Sequence, residues 1–329
     1  MVPRATLIAV LIGVEVAILV AMVSAVQGRG MSWFPVAMTA PETVPGQPFG
    51  HPGHPSGHGP RAYQFAAGAH PAVIVDAAGV DVVVETQAAP QINVAMHEER
   101  SGPFFGKPQE ISASDVDGTI HVTSDDVEQT HVFGREQLTL QIAAPANTRV
   151  TVTDAGDITL SGFRAATSLD SRDGAITVRD FHGNLSASSS DGRIDVTDAD
   201  CTTLHLAASN GRLVLTHVNA AQIDASSSNG KVVGTAVQLR DGRVTTSNGR
   251  VSLGFAAGSD TTVNAATSNG RINVSGFTEQ PAAFAKAGND NGNSDDDDAP
   301  AAKTIRIGAG SGRLDVHTSN GSIDLSQEG

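Results

Sequence analysis

A glycine recurs at positions 156, 174, 192, 211, 230, 249 and 270, at intervals of 18, 18, 19, 19, 19 and 21 residues. A nearly fixed period of that length is the signature of a repeat architecture, in which each unit covers its apolar face only by stacking on the next. Most units share one grammar: apolar or small residues seven and five places before the glycine, and apolar residues two and four places after it. Residues two apart lie on one face of a strand, so each unit reads as strand, corner, strand with a consistent inner side.

The inner ladder after the glycine is Ile158, Ile176, Ile194, Leu213, Val232, Val251 and Ile272, and its companion is Leu160, Val178, Val196, Leu215, Gly234, Leu253 and Val274. Before the glycine the matching pairs are Leu185 with Ala187, Leu204 with Leu206, Ile223 with Ala225, and Val263 with Ala265. The unit ending at Gly249 departs, with Gly242 in the first apolar place. The corners carry Asn210-Gly211, Asn229-Gly230, Asn248-Gly249 and Asn269-Gly270, each preceded by Ser, and Ser319-Asn320-Gly321 follows late in the chain. Asp173 and Asp191 replace Asn in earlier units. Asn, Asp and Gly accept positive φ, so left-handed reversals are expected at these corners. Two all-β architectures are compatible with the pattern. The preferred one is a β-solenoid, because constant unit length and like residues at like phase are what stacking at about 4.8 Å rewards. The other is a long antiparallel meander of Asn-Gly hairpins.

Upstream, residues 1–27 read as a signal peptide or signal-anchor helix: after Arg4 the stretch Leu7 to Val26 is almost wholly apolar, and Val23-Ser24-Ala25 offers a small-residue cleavage site. Either reading implies export, to the cell envelope or beyond. Residues 28–71, rich in Pro, Gly and His, read as a linker. The strand array is expected over 72–329. Its start is a series of short β-branched runs that ends in the alternating Leu138-Thr139-Leu140-Gln141-Ile142 before Pro145. An acidic loop insert is expected at 279–303, carrying Glu279, Asp290 and Asp295 to Asp298, with strands resuming at Thr304 and a closing hairpin between Gly312 and Leu325.

The chemistry is sparse. A formal net charge of −14 argues against nucleic-acid binding, which needs clustered cations. His51, His54 and His58 have no carboxylate beside them, so no metal or other cofactor is expected. Cys201 is the only cysteine and reads as an inert thiol. Asp195 and Asp315 share the outward phase three after a glycine, yet the intervening units carry Val214, Val233, Ser252 and Asn273 there, so no paired carboxylates for glycoside chemistry are implied. What the register does produce is a basic stripe directly after the glycines: Arg193, Arg212, Lys231, Arg250, Arg271 and Arg313. In a stacked array it is a candidate groove for an anionic glycan or for lipid-headgroup phosphate. The bland reading is side chains lying over the corners and pairing with local Asp.

The strand ending in Ala143-Ala144-Pro145, then Arg149-Val150-Thr151-Val152, Gly156-Asp157-Ile158-Thr159-Leu160 and the Ser-Asn-Gly units resemble the bacterial putative-adhesin domain family of unknown function, over roughly Ala72 to Leu325. The resemblance implies a β-helical domain on an envelope or secreted protein and brings no catalytic residues. The expectation is therefore a non-enzymatic interaction or scaffold protein of the cell envelope, its partner an anionic glycan, lipid headgroups or another envelope protein. A glycan-active β-helix enzyme and an envelope-stress sensor are the competing expectations.

Overall fold

The computed structural model describes residues 62–101, 111–124, 135–277 and 301–328, and every regular element among them is a β-strand. In chain order these are β1 (Ala62–Ala66), β2 (Ala72–Asp76), β3 (Asp81–Thr86), β4 (Gln91–Ser101), β5 (Ile111–Val116), β6 (Thr119–Ser124), β7 (Arg135–Ala144), β8 (Arg149–Ala155), β9 (Ile158–Ser161) and β10 (Thr167–Ser171). The long strands β11 (Ile176–Ser189), β12 (Ile194–Ala208), β13 (Leu213–Ser227) and β14 (Val232–Thr246) follow. Then come β15 (Val251–Phe255), β16 (Thr261–Thr267), β17 (Ile272–Ser275), β18 (Ala301–Ile307), β19 (Gly312–Thr318) and β20 (Ile323–Gln327). The membrane-directed segment, the His51, His54 and His58 cluster and the acidic run lie outside the described residues.

The units stack in parallel. Ile176 pairs with Ile194, Ile194 with Leu213, Leu213 with Val232 and Val232 with Val251. This overturns the hairpin meander: an Asn-Gly hairpin would set the strands flanking each glycine against each other, whereas here each pairs with its counterpart one unit along. The resulting β-solenoid-like array has two columns of strands. After each glycine corner the order is β1, β4, β7, β3, β9, β11, β12, β13, β14, β15, β20, β17. Before each corner it is β5, β6, β2, β8, β10, β11, β12, β13, β14, β19, β16, β18.

Two departures from chain order stand out. β2 and β3 lie between later strands, and β19 with β20 forms a rung between that of β14 with β15 and that of β16 with β17. The expected closing hairpin is therefore absent: β19 and β20 pair with neighbours on either side rather than with each other. Ile323 takes the inner place between Val251 and Ile272, and all three are at most 5% exposed. Burying an aliphatic side chain of this kind contributes about 1.5–3 kcal/mol, and the ladder repeats it rung after rung. Among the described residues antiparallel pairs occur toward the ends, where β4 lies on β7, β1 on β4, β5 on β6 and β18 on β16. They begin earlier than the sequence indicates: β1 falls inside the 28–71 linker reading, and β18 starts at Ala301, inside the 279–303 insert reading. Tyr63 of β1 donates its hydroxyl to the Ile111 carbonyl of β5 at 3.1 Å, joining the two columns at one end. At the other, Lys303 Nζ donates to the Ile272 carbonyl at 2.6 Å, placing a charge against the β17 edge.

The corners are not built as expected. None of Asn210, Gly211, Asn229, Gly230, Asn248, Gly249, Asn269 or Gly270 has a positive φ. Glycine is required there by proximity: a Cβ would stand 1.8 Å from the Gly192 carbonyl oxygen at Gly211, 1.7 Å from that of Gly211 at Gly230, and 1.9 Å from that of Gly230 at Gly249. Left-handed backbone occurs instead at the next bend, at Gly162, Asp180, Asp198, His217 and Ala236, with φ of 85, 50, 53, 51 and 51°. Directly after that bend Phe163, Phe181, Val218 and Val237 point inward, each no more than 1% exposed.

Candidate functional site

The glycine corner carries three parallel rows of side chains. The first is a carboxamide ladder: Asn210 Nδ2 donates to Asp191 Oδ1 at 2.6 Å, Asn229 to Asn210 and Asn248 to Asn229 at 2.8 Å, Asn320 to Asn248 at 2.9 Å and Asn269 to Asn320 at 2.8 Å. Asn210, Asn229, Asn248 and Asn320 thus each donate and accept, which keeps the exposed corner in register.

The second row was missed in the sequence. At Gly174, Gly192, Gly230 and Gly249 the buried hydroxyl three places before the glycine accepts from that glycine's N–H and donates to the carbonyl of the preceding rung's glycine. Ser189 accepts from Gly192 at 3.0 Å and donates to Gly174 at 3.1 Å; Thr246 accepts from Gly249 and donates to Gly230, both at 3.1 Å. Ser171 and Ser227 do the same, and Ala208 interrupts the row. The signal was present, as a Ser or Thr ahead of the Ser-Asn-Gly, but the more regular Ser of the corner itself masks it.

The third row is the basic stripe. The structure brings together Arg193, Arg212, Lys231 and Arg250, since the amide of the residue after each cation donates to the carbonyl of the cation one rung on, from Ile194 to Arg212, Leu213 to Lys231 and Val232 to Arg250. Ser322 then occupies the next rung and Arg271 the one after. Arg313 is not on this ladder. It lies at the start of β19 in the other column, level with Thr262, and its N–H donates to Asp241 Oδ1 at 2.8 Å. The reason is its phase: Gly312 opens the strand that runs into the corner at Gly321, whereas the other glycines of the series sit at the corner itself.

What each cation does is set by its same-face neighbour two residues on. Arg193 is held by Asp195, Nη2 to Oδ1 at 2.7 Å, and Arg313 by Asp315, Nε to Oδ1 at 3.3 Å. Arg250 reaches the next rung, where Nε donates to Ser322 Oγ at 2.7 Å and lies 3.7 Å from Asp324 Oδ2. Arg212 and Lys231 have Val214 and Val233 in that place, and among the described residues neither forms an ion pair. The result is an exposed two-rung patch with two adjacent cations beside two half-buried valines.

The carboxylates considered for catalysis fall apart: Asp195 is in the column after the glycine and Asp315 in the column before it. Among the described residues no group of three His, Cys, Asp or Glu side chains stands close enough to hold a metal. Cys201 is 3% exposed, and burial, reinforced by the Asp200 carboxylate, pushes its thiol up to about 12. A thiol so placed is not ionised near neutrality.

With a parallel array of glycine-cornered rungs in hand, the family assignment follows from one match: the sequence model of the Toastrack DUF4097 domain fits residues 72–326. The chain belongs to this family. The chain is similar to a putative cell adhesion protein from Clostridium sporogenes, at 11% identity over 82% of this chain and 100% of the other, with a TM-score of 0.24. It is also similar to a putative adhesin from Bacteroides fragilis, at 11% identity over 81% and 96%, with a TM-score of 0.40. Likenesses at that level say nothing about activity. No curated protein matches this chain.

Proposed function

We propose that the Toastrack domain is a non-catalytic interaction module of the bacterial cell envelope and that its ligand is an extended acidic glycan held along the glycine corner. The observation that carries the reading is the Arg212 and Lys231 pair, exposed on consecutive rungs and without an ion-pair partner among the described residues. Two cations about 5 Å apart repel in water by under about 1 kcal/mol, a cost that a bridging anion reverses. Arg193 and Arg250 flank the pair, so a chain running along the stack meets cations on four successive rungs. Val214 and Val233 beside them offer apolar surface for the C–H face of a sugar. Export through the apolar N-terminal segment would place the domain where such glycans are found.

The test is binding of the purified protein to polygalacturonate, with neutral dextran and anionic vesicles as comparison arms, at rising salt. Binding to polygalacturonate that weakens with salt and is lost in an Arg212→Glu, Lys231→Glu variant supports the reading, provided that Arg313→Glu, off the ladder, binds as before. Equal binding by the ladder variant overturns it, and binding to vesicles alone replaces the glycan with a lipid headgroup.

A further inference from the structure

Three consecutive rungs carry almost the same tetrapeptide: Ser209-Asn210-Gly211-Arg212, Ser228-Asn229-Gly230-Lys231 and Ser247-Asn248-Gly249-Arg250. Asn before Gly is open to ring closure, because glycine has no side chain to hinder approach of its own nitrogen to the carboxamide. In that reaction the Gly nitrogen gives its proton to solvent base and bonds to Asn Cγ, the Cγ–Nδ2 bond breaks, and ammonia leaves. Water then opens the succinimide to aspartate or isoaspartate, and no other reactant is needed.

Availability of the nitrogen differs between rungs. The Gly230 N–H donates to Ser227 Oγ at 2.9 Å and the Gly249 N–H to Thr246 Oγ1 at 3.1 Å. The earlier Gly174 and Gly192 donate to Ser171 and Ser189 at 3.0 Å. At Gly211 the corresponding residue is Ala208, which has no hydroxyl. The three carboxamides lie in one ladder, Asn210 donating to the Asp191 carboxylate and Asn229 and Asn248 each to the amide of the preceding rung. Local sequence and ladder position are thus shared while the hydroxyl clip is removed from one rung, and Ala208→Ser restores that clip without touching the Asp191 contact.

We infer that Asn210 is a site of spontaneous deamidation built into the array, left open by Ala208, while Ser227 and Thr246 protect Asn229 and Asn248. The product has a structural consequence. A carboxylate at position 210 faces Asp191 where the carboxamide now donates at 2.6 Å, so a ladder bond becomes a contact between like charges. An isoaspartate also lengthens the backbone at a corner where Gly211 already leaves no room for a Cβ.

The experiment is peptide mapping by mass spectrometry of the full chain incubated at neutral pH, folded and in denaturant. In denaturant the three sites should convert at similar rates. In the folded protein Asn210 should convert about two- to tenfold faster than Asn229 or Asn248, the factor that one net hydrogen bond is worth. Ala208→Ser should bring Asn210 down to its neighbours' rate and leave theirs unchanged, which separates local clipping from a general gain in stability. Equal rates at the three sites in the folded protein, or an Asn210 rate untouched by Ala208→Ser, would overturn the inference.

Discussion

The Gly230 amide donates to the Ser227 hydroxyl at 2.9 Å, and the same hydroxyl donates onward to the Gly211 carbonyl at 3.3 Å, so one side chain ties its own corner to the rung beneath. Ser227 is 6% exposed, too enclosed for water to replace both bonds freely. Ser227→Ala should cost about 1–3 kcal/mol by leaving buried backbone groups without partners, and Ala208→Ser should add about 0.5–1.5 kcal/mol where the clip is missing. Urea unfolding midpoints at unchanged slope would report both.

Gly230→Ala should be far more damaging than a glycine-to-alanine change on a loop. The atom in the way is the Gly211 carbonyl oxygen, 1.7 Å from the added Cβ, and it belongs to a hydrogen-bonded backbone that cannot swing aside. A loss above about 4 kcal/mol, or failure to fold, is expected. Gly68→Ala, where a Cβ meets nothing within 4 Å and φ is not positive, should stay within about 0.5 kcal/mol and serves as the control.

Ala236 holds a φ of 51° with no polar side chain to support it locally, unlike Asp180 and Asp198 at the same bend. Ala236→Gly should therefore stabilise by up to about 1 kcal/mol, the relief of a left-handed alanine less the extra freedom of glycine in the unfolded chain. Thermal unfolding of the two proteins side by side would measure it.

Acid should loosen the bend near residue 260 first. Asp260 accepts from the Ser311 hydroxyl at 2.6 Å and from its N–H at 3.1 Å, and these bonds hold its carboxyl below the ordinary value of 3.8. A lowered folded value means that the contribution is complete above 3.8 and is lost as pH falls through the folded value, because only the unfolded chain takes up the proton early. Hydrogen exchange at Ser311 should rise over that window in the native protein and be independent of pH there, apart from the intrinsic rate, in Asp260→Asn.

Cys201 should resist thiol reagents in the folded protein at pH 8 and react at once in denaturant. With its thiol raised from 9.0 to about 12, it favours the folded state below 9.0, and that preference is lost as pH climbs from 9.0 toward 12. Rapid labelling of the native protein would show that the burial is not maintained in solution.

Much of this was readable from the residues. Period 2 on either side of each glycine gave the inner faces, and Ile194, Leu213 and Val232 indeed stack as the spacing requires. The requirement for glycine was also visible, although its cause was not: contact with the neighbouring rung leaves the same imprint in a sequence as a positive φ. The left-handed bend went unseen because Gly162, Asp180, Asp198, His217 and Ala236 are of four different residue types. The two cations without an ion pair among the described residues, by contrast, were written in the chain as Val214 and Val233, where Arg193 and Arg313 have Asp195 and Asp315.

The amino-acid order by itself determined the rung, its length, its inner and outer faces and its corner, because these follow from alternation and spacing within some twenty residues. Only the tertiary structure decided which rung lies on which. Every unit presents the same N–H and C=O groups at its edge, so hydrogen bonding cannot distinguish a neighbour in sequence from a rung 51 or 72 residues away, as the Asn269 to Asn320 and Asn320 to Asn248 bonds show. That choice placed Ser322 between Arg250 and Arg271 and brought Asp324 to within 3.7 Å of Arg250, so it set which side chains stand next to one another along the basic ladder.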